Sequence, residues 1–212
     1  MQLEIVNPPS QIKIAMSLIE TIKKKNKFTY DLRLQLDYHL KDAGLYNPNE
    51  PDVLKINPWI CDENPSSYVY IEDSTIFGII MHEFSHFLSM TYFVDFQKNY
   101  LEAFPENRFI ITKYDAANED YDEEIAEIMS LYIRNPYLLK LISEPHYRFL
   151  KSWFLSPVPC TVTRFIYMYN KMSIEYKNKL RMKWGIMVNH AEKTAYTVPS
   201  IKPKIEGIIM KP

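Results

Sequence analysis

Residues 76–88 read I-F-G-I-I-M-H-E-F-S-H-F-L, an apolar run interrupted by two imidazoles and a carboxylate. Few stretches constrain a fold more. On a helix, positions i and i+4 share a face one turn apart, so His82 and His86 can aim two ring nitrogens at one ion. Glu83 falls beside that ion rather than on it, placed to take a proton from a water that the ion activates. Asp73, Ser74 or Thr75 can cap the helix, which is expected from about residue 75 to 90.

The rest of the chain fits around this helix. With 212 residues, 47% of them hydrophobic, the chain suits one well-filled domain or one domain with an appended lobe. A net charge of −1 gives no reason to expect a nucleic-acid partner or an electrostatic membrane anchor. Residues 1–10 have no basic segment followed by an apolar one, and the longest apolar run is too short to cross a bilayer. A cytoplasmic location, with Cys61 and Cys160 as reduced, buried thiols, is the expectation.

Periodicity predicts a helix over 10–25, with Ile12, Ala15, Met16, Ile19 and Ile22 on one face. A second helix capped by Thr29, with Leu32, Leu36 and Leu40 in a stripe, would end at Gly44. Strands are expected at 53–57 and 67–71, the second a candidate edge for pairing with an extended chain. Helical character continues to Ala103. A loop over 105–120 carries a short strand at 108–112, and helices follow at 120–134, 136–143, 145–155 and 160–184. The expected fold class is α+β, mostly helical, with a small sheet beside the motif helix. The expected division is one domain over 1–212, with a catalytic core at about 53–135, a C-terminal helical subdomain at about 136–188 and an extended tail at 189–212.

A catalytic zinc takes three protein ligands and keeps one position open. The natural third source is the acidic helix 120–134, which contains E-E-I-A-E at residues 123–127. Glu123 or Glu124 could complete the site. If Glu123 is the ligand, Glu127 lies one turn on and can accept the N–H of a ligand histidine, fixing its tautomer. Ala126 leaves room for the two helices to approach.

These residues resemble the gluzincin metallopeptidases, and most closely the compact minigluzincins and the catalytic domain of anthrax lethal factor. His82-Glu83-Phe84-Ser85-His86 is similar to their H-E-F-G-H, with Ser85 in place of Gly. Tyr114-Asp115-Ala116-Ala117-Asn118 and residues 123–127 resemble their Y-A-x-x-N-x-x-E-x-F-A-E segment, with two extra residues between Asn118 and Glu123. The resemblance covers about residues 67–135. It implies a zincin-like fold and a zinc-dependent peptidase acting on a peptide or protein substrate. His82, His86 and Glu123 would bind Zn²⁺ and Glu83 would be the general base. Tyr114, with Tyr121 as the alternative, would stabilise the oxyanion. His146 or His190 could supply the further transition-state histidine that some gluzincins carry, while His39 reads as structural. The competing expectation is a zinc-binding regulatory protein on the same scaffold without proteolysis of its own.

Overall fold

A computed structural model describes residues 10–61, 74–105, 109, 111 and 120–156. The architecture is α+β: six α-helices and a three-stranded sheet among the described residues. None of these helices is long and apolar enough to cross a membrane. The expected elements at 67–71 and 160–184 and the tail at 189–212 lie outside the described residues, as does most of 108–112.

Helix α1, Ser10–Asn26, buries Ile12, Ala15, Leu18, Ile19 and Ile22, and its last turn carries Lys23, Lys24 and Lys25 at the negative end of the helix dipole. The predicted second helix is replaced by two strands: β1, Arg33–Leu36, and β2, Gly44–Tyr46. The reason is visible in D-L-R-L-Q-L-D at 31–37, which alternates polar and apolar residues. Arg33 and Gln35 face out while Leu34 and Leu36 pack on the core, a period of two that outweighs the Leu36–Leu40 spacing. Thr29 caps no helix; its N–H donates to the Tyr92 hydroxyl at 3.0 Å.

Strand β3, Val53–Ile56, lies between the other two, parallel to β1 and antiparallel to β2. Gly44 pairs with Ile56 and Tyr46 with Leu54. The Asn57 N–H donates to the Ala43 carbonyl at 2.9 Å. In an antiparallel ladder hydrogen-bonded positions alternate, so Ala43 and Leu45 spend their backbone groups on β3. Those of Gly44 and Tyr46 point away from it.

The motif helix α2, Ile76–Phe87, is capped by the Thr75 hydroxyl, which accepts from the Gly78 N–H at 3.2 Å. The Phe77 N–H of its first turn is met by Gln11 of α1 at 3.2 Å. A π-turn over Leu88–Tyr92 ends it, with the Phe93 N–H reaching the Leu88 carbonyl. Helix α3, Phe96–Ala103, follows. Helix α4, Tyr121–Arg134, starts on an Asp120 cap with Asp122, Glu123 and Glu124 in its first turn. Asn135 ends α4 and caps α5, Pro136–Ile142, accepting from the Leu138 N–H at 3.1 Å. Helix α6, Glu144–Trp153, completes the described chain.

Elements from α1 to α6 share one hydrophobic core, and α2 runs through it, packed on α1, α4, β2 and β3. His146 of α6 belongs to this core. Its ring is stacked between Phe104 at 4.0 Å and Phe109 at 4.4 Å, and Ser143 Oγ lies 2.7 Å from its Nδ1. Burial among these rings pushes its pKa down to about 3. The neutral form is therefore favoured in the fold. The resulting stability is complete above the ordinary histidine value and is lost as pH falls towards 3. Urea unfolding of His146→Phe should show a flatter acid limb than wild type. His146 alone should cost wild type about 2 kcal/mol between pH 6.5 and pH 5.

Candidate metal centre

Helix α2 turns three polar side chains towards two neighbours. His82 and His86 face α4. His82 Nε2 is 3.1 Å from His86 Nε2 and 3.1 Å from Glu123 Oε2, and His86 Nε2 is 3.5 Å from the same oxygen. Ligand atoms on a tetrahedral zinc with bonds of about 2.0–2.1 Å are about 3.3 Å apart. The triangle these atoms form therefore has the size of one face of such a site.

Protonation shows why a cation would suit the triangle. His82 Nδ1 lies 3.1 Å from Glu127 Oε1, so its N–H can donate there, and in the neutral ring the Nε2 lone pair is then directed at the cluster. Glu123 Oε2 is buried and has no hydrogen-bond partner among the described residues, despite two ring nitrogens nearby. A buried carboxylate oxygen in that position needs positive charge. Without an ion, protons on the imidazoles carry that charge. Burial opposes the charged form of His82, yet Glu123 and Glu127 outweigh it and raise its pKa well above the usual value. Burial likewise opposes the Glu123 carboxylate, but the two imidazoles hold its pKa down at about 2. Two nitrogens and one carboxylate oxygen are a donor set that suits Zn²⁺.

The register of α4 separates its acidic residues. Glu123 reaches the imidazoles, while Glu124 points into the core, where its Oε1 accepts from the Tyr100 hydroxyl at 2.5 Å. Glu127 lies behind His82, one turn beyond Glu123. Asp122, also in the first turn, accepts from Gln97 of α3 at 2.5 Å.

Glu83 faces β2 instead. Burial pushes its carboxyl above the ordinary glutamate value, and the two imidazoles and the Tyr46 backbone N–H pull the other way. A Cβ added at Gly44 would strike the Glu83 side chain, so strand and carboxylate are in direct contact. Neither β2 residue was expected at the site. The alternation at 31–37 signals β1 alone, and three-residue β2 has no such pattern of its own.

The other candidates are located as follows. Ser85, which stands where the resembled motif has Gly, is buried and donates to the Met81 carbonyl at 2.7 Å, so its hydroxyl takes no part in the centre. Tyr121 begins α4 with its side chain exposed, and His39 is exposed in the connection between β1 and β2. His146 is held in its aromatic slot. The Cys61 thiol donates to the Asn57 carbonyl. Tyr114, His190 and Cys160 lie outside the described residues. Comparison with protein-family models, curated proteins and solved structures finds no significant match to the chain.

The Glu127–His82 contact predicts a measurable dependence. Calorimetric zinc titration of Glu127→Ala should show affinity lower than wild type by about 10–100-fold, with stoichiometry unchanged.

Proposed function

We propose that the protein is a zinc-dependent peptidase of gluzincin type, with His82, His86 and Glu123 as metal ligands and Glu83 as general base. One observation carries the reading: His82 Nε2, His86 Nε2 and the buried Glu123 Oε2 converge at ligand-to-ligand spacing. The α+β fold with a small sheet beside the motif helix is compatible with a zincin-like architecture, as the H-E-x-x-H resemblance implies.

Zinc held by His82, His86 and Glu123 would lower the pKa of a bound water towards about 7 and polarise a carbonyl oxygen. The residues supply the remainder. Glu123 would offset part of the ion's charge, and Glu127, on His82 Nδ1, would keep the His82 lone pair aimed at it. Glu83, with its pKa raised by burial, accepts the proton of the attacking water and passes it to the leaving amine. A buried base beside the ion has no function in a purely structural zinc site, where four protein ligands close the coordination sphere. That favours catalysis over the regulatory alternative. Tyr114 remains the proposed oxyanion donor, and the implied partner is a peptide or protein chain.

Zinc analysis combined with cleavage of a mixed peptide library tests the proposal. Wild type should hold one zinc and cleave. Glu83→Gln should hold the zinc and lose about 10²–10⁴-fold in rate. His82→Ala should lose the metal. A wild-type protein that takes up no zinc would overturn the assignment.

A further inference from the structure

Glu83 lies against β2, and the strand is shaped to receive it. An ideal Cβ at Gly44 would sit 2.7 Å from Glu83 Cγ and 2.7 Å from Ile79 Cγ2, and would also meet Glu83 Oε1. Non-bonded carbons are comfortable at about 3.5–4.0 Å, so any residue but glycine must displace the Glu83 and Ile79 side chains. Gly44 lies within an ordinary strand, so its backbone does not call for glycine here; the space does. The chain contains only four glycines, and this one faces the proposed base.

The strand also holds Glu83 through hydrogen bonding. The Tyr46 backbone N–H, turned away from β3 by the ladder's alternation, donates to the Glu83 carboxylate. Tyr46 is itself fixed at its other end. Its hydroxyl bonds Thr91 in the π-turn that closes α2, and its ring meets Phe87 edge-on at 6.0 Å. Ile79 and Glu83, one turn apart, thus form the α2 stripe that β2 covers, while His82 and His86 form the stripe facing α4.

We infer that Gly44 is a positioning residue: its missing side chain, with the Tyr46 N–H, forms a seat on β2 that fixes the Glu83 carboxylate beside the metal centre. The catalytic part of this inference rests on Glu83 being the general base. The seat itself does not. Precise placement matters because a misplacement of about 1 Å in a reacting group can cost about 10²-fold in rate.

A double-mutant cycle on the full-length, zinc-loaded protein tests it, using Gly44→Ala, Glu83→Ala and the pair, with thermal unfolding as the first readout. Gly44→Ala should lower the Tm of wild type by about 3–8 °C, and by less than half as much in the Glu83→Ala background. The Ile79 contact is common to both backgrounds and cancels. The second readout is kinetic. Gly44→Ala, assayed below its Tm with one zinc bound, should lose about 10²-fold in kcat with KM little changed. Equal Tm losses in the two backgrounds would overturn the seat. Coupled Tm losses with wild-type kcat would overturn the positioning role. A wild-type protein that binds zinc but cleaves no peptide would remove the general-base reading and the positioning role with it, and the Tm cycle would still decide the seat.

Discussion

Burying His82, Glu83 and His86 on one helix is the constraint to which the rest of the structure responds. Each is nine-tenths or more removed from solvent, on a helix whose other faces carry Ile80, Met81, Phe84 and Phe87 into the core. Three ionisable groups in such a position are costly unless each has a partner. The fold divides the task between two neighbours. Helix α4 brings Glu123 and Glu127 to the imidazole stripe, and β2 brings a backbone donor and a Cβ-free position to the glutamate stripe. Of the three groups the protein alone satisfies Glu83 and the Nδ1 side of His82. The Nε2 side of the cluster needs positive charge, from protons or from an ion, and that need is the basis of the proposed metal site.

The same division explains why the flanking elements pack as they do. Glu124 and Asp122, on either side of Glu123, are each held by a residue of α3, Tyr100 and Gln97. Those bonds pin the rotation of α4 about its axis, which leaves Glu123 as the acidic residue of the first turn that faces α2. A carboxylate buried against Tyr100 is thus a register device as well as a stabilising contact.

Legibility in the sequence followed the range of each interaction. The motif pair and the 123–127 pair are local, four residues apart on helices, and could be read directly. The helices at 10–26, 121–134 and 136–153 carried clear caps, stripes and prolines. The choice between Glu123 and Glu124 was not legible, because it depends on Tyr100, 24 residues away. Strands β1 and β2 were missed because Leu36 and Leu40 imitate a helical step and β2 is only three residues long. Gly44 was read as a helix end when its role is to let Glu83 approach, a contact between residues far apart in the chain. Spacing within one segment cannot reveal such a role.

The central claim is that two imidazoles and one carboxylate hold the ion. Zinc K-edge absorption on the loaded, full-length protein tests this most directly. The account predicts four nitrogen or oxygen scatterers at about 2.0–2.1 Å, with outer-shell features of two imidazole rings. A sulfur shell at about 2.3 Å, which only Cys61 and Cys160 could provide as thiolates, or failure to bind one equivalent of zinc, would contradict it.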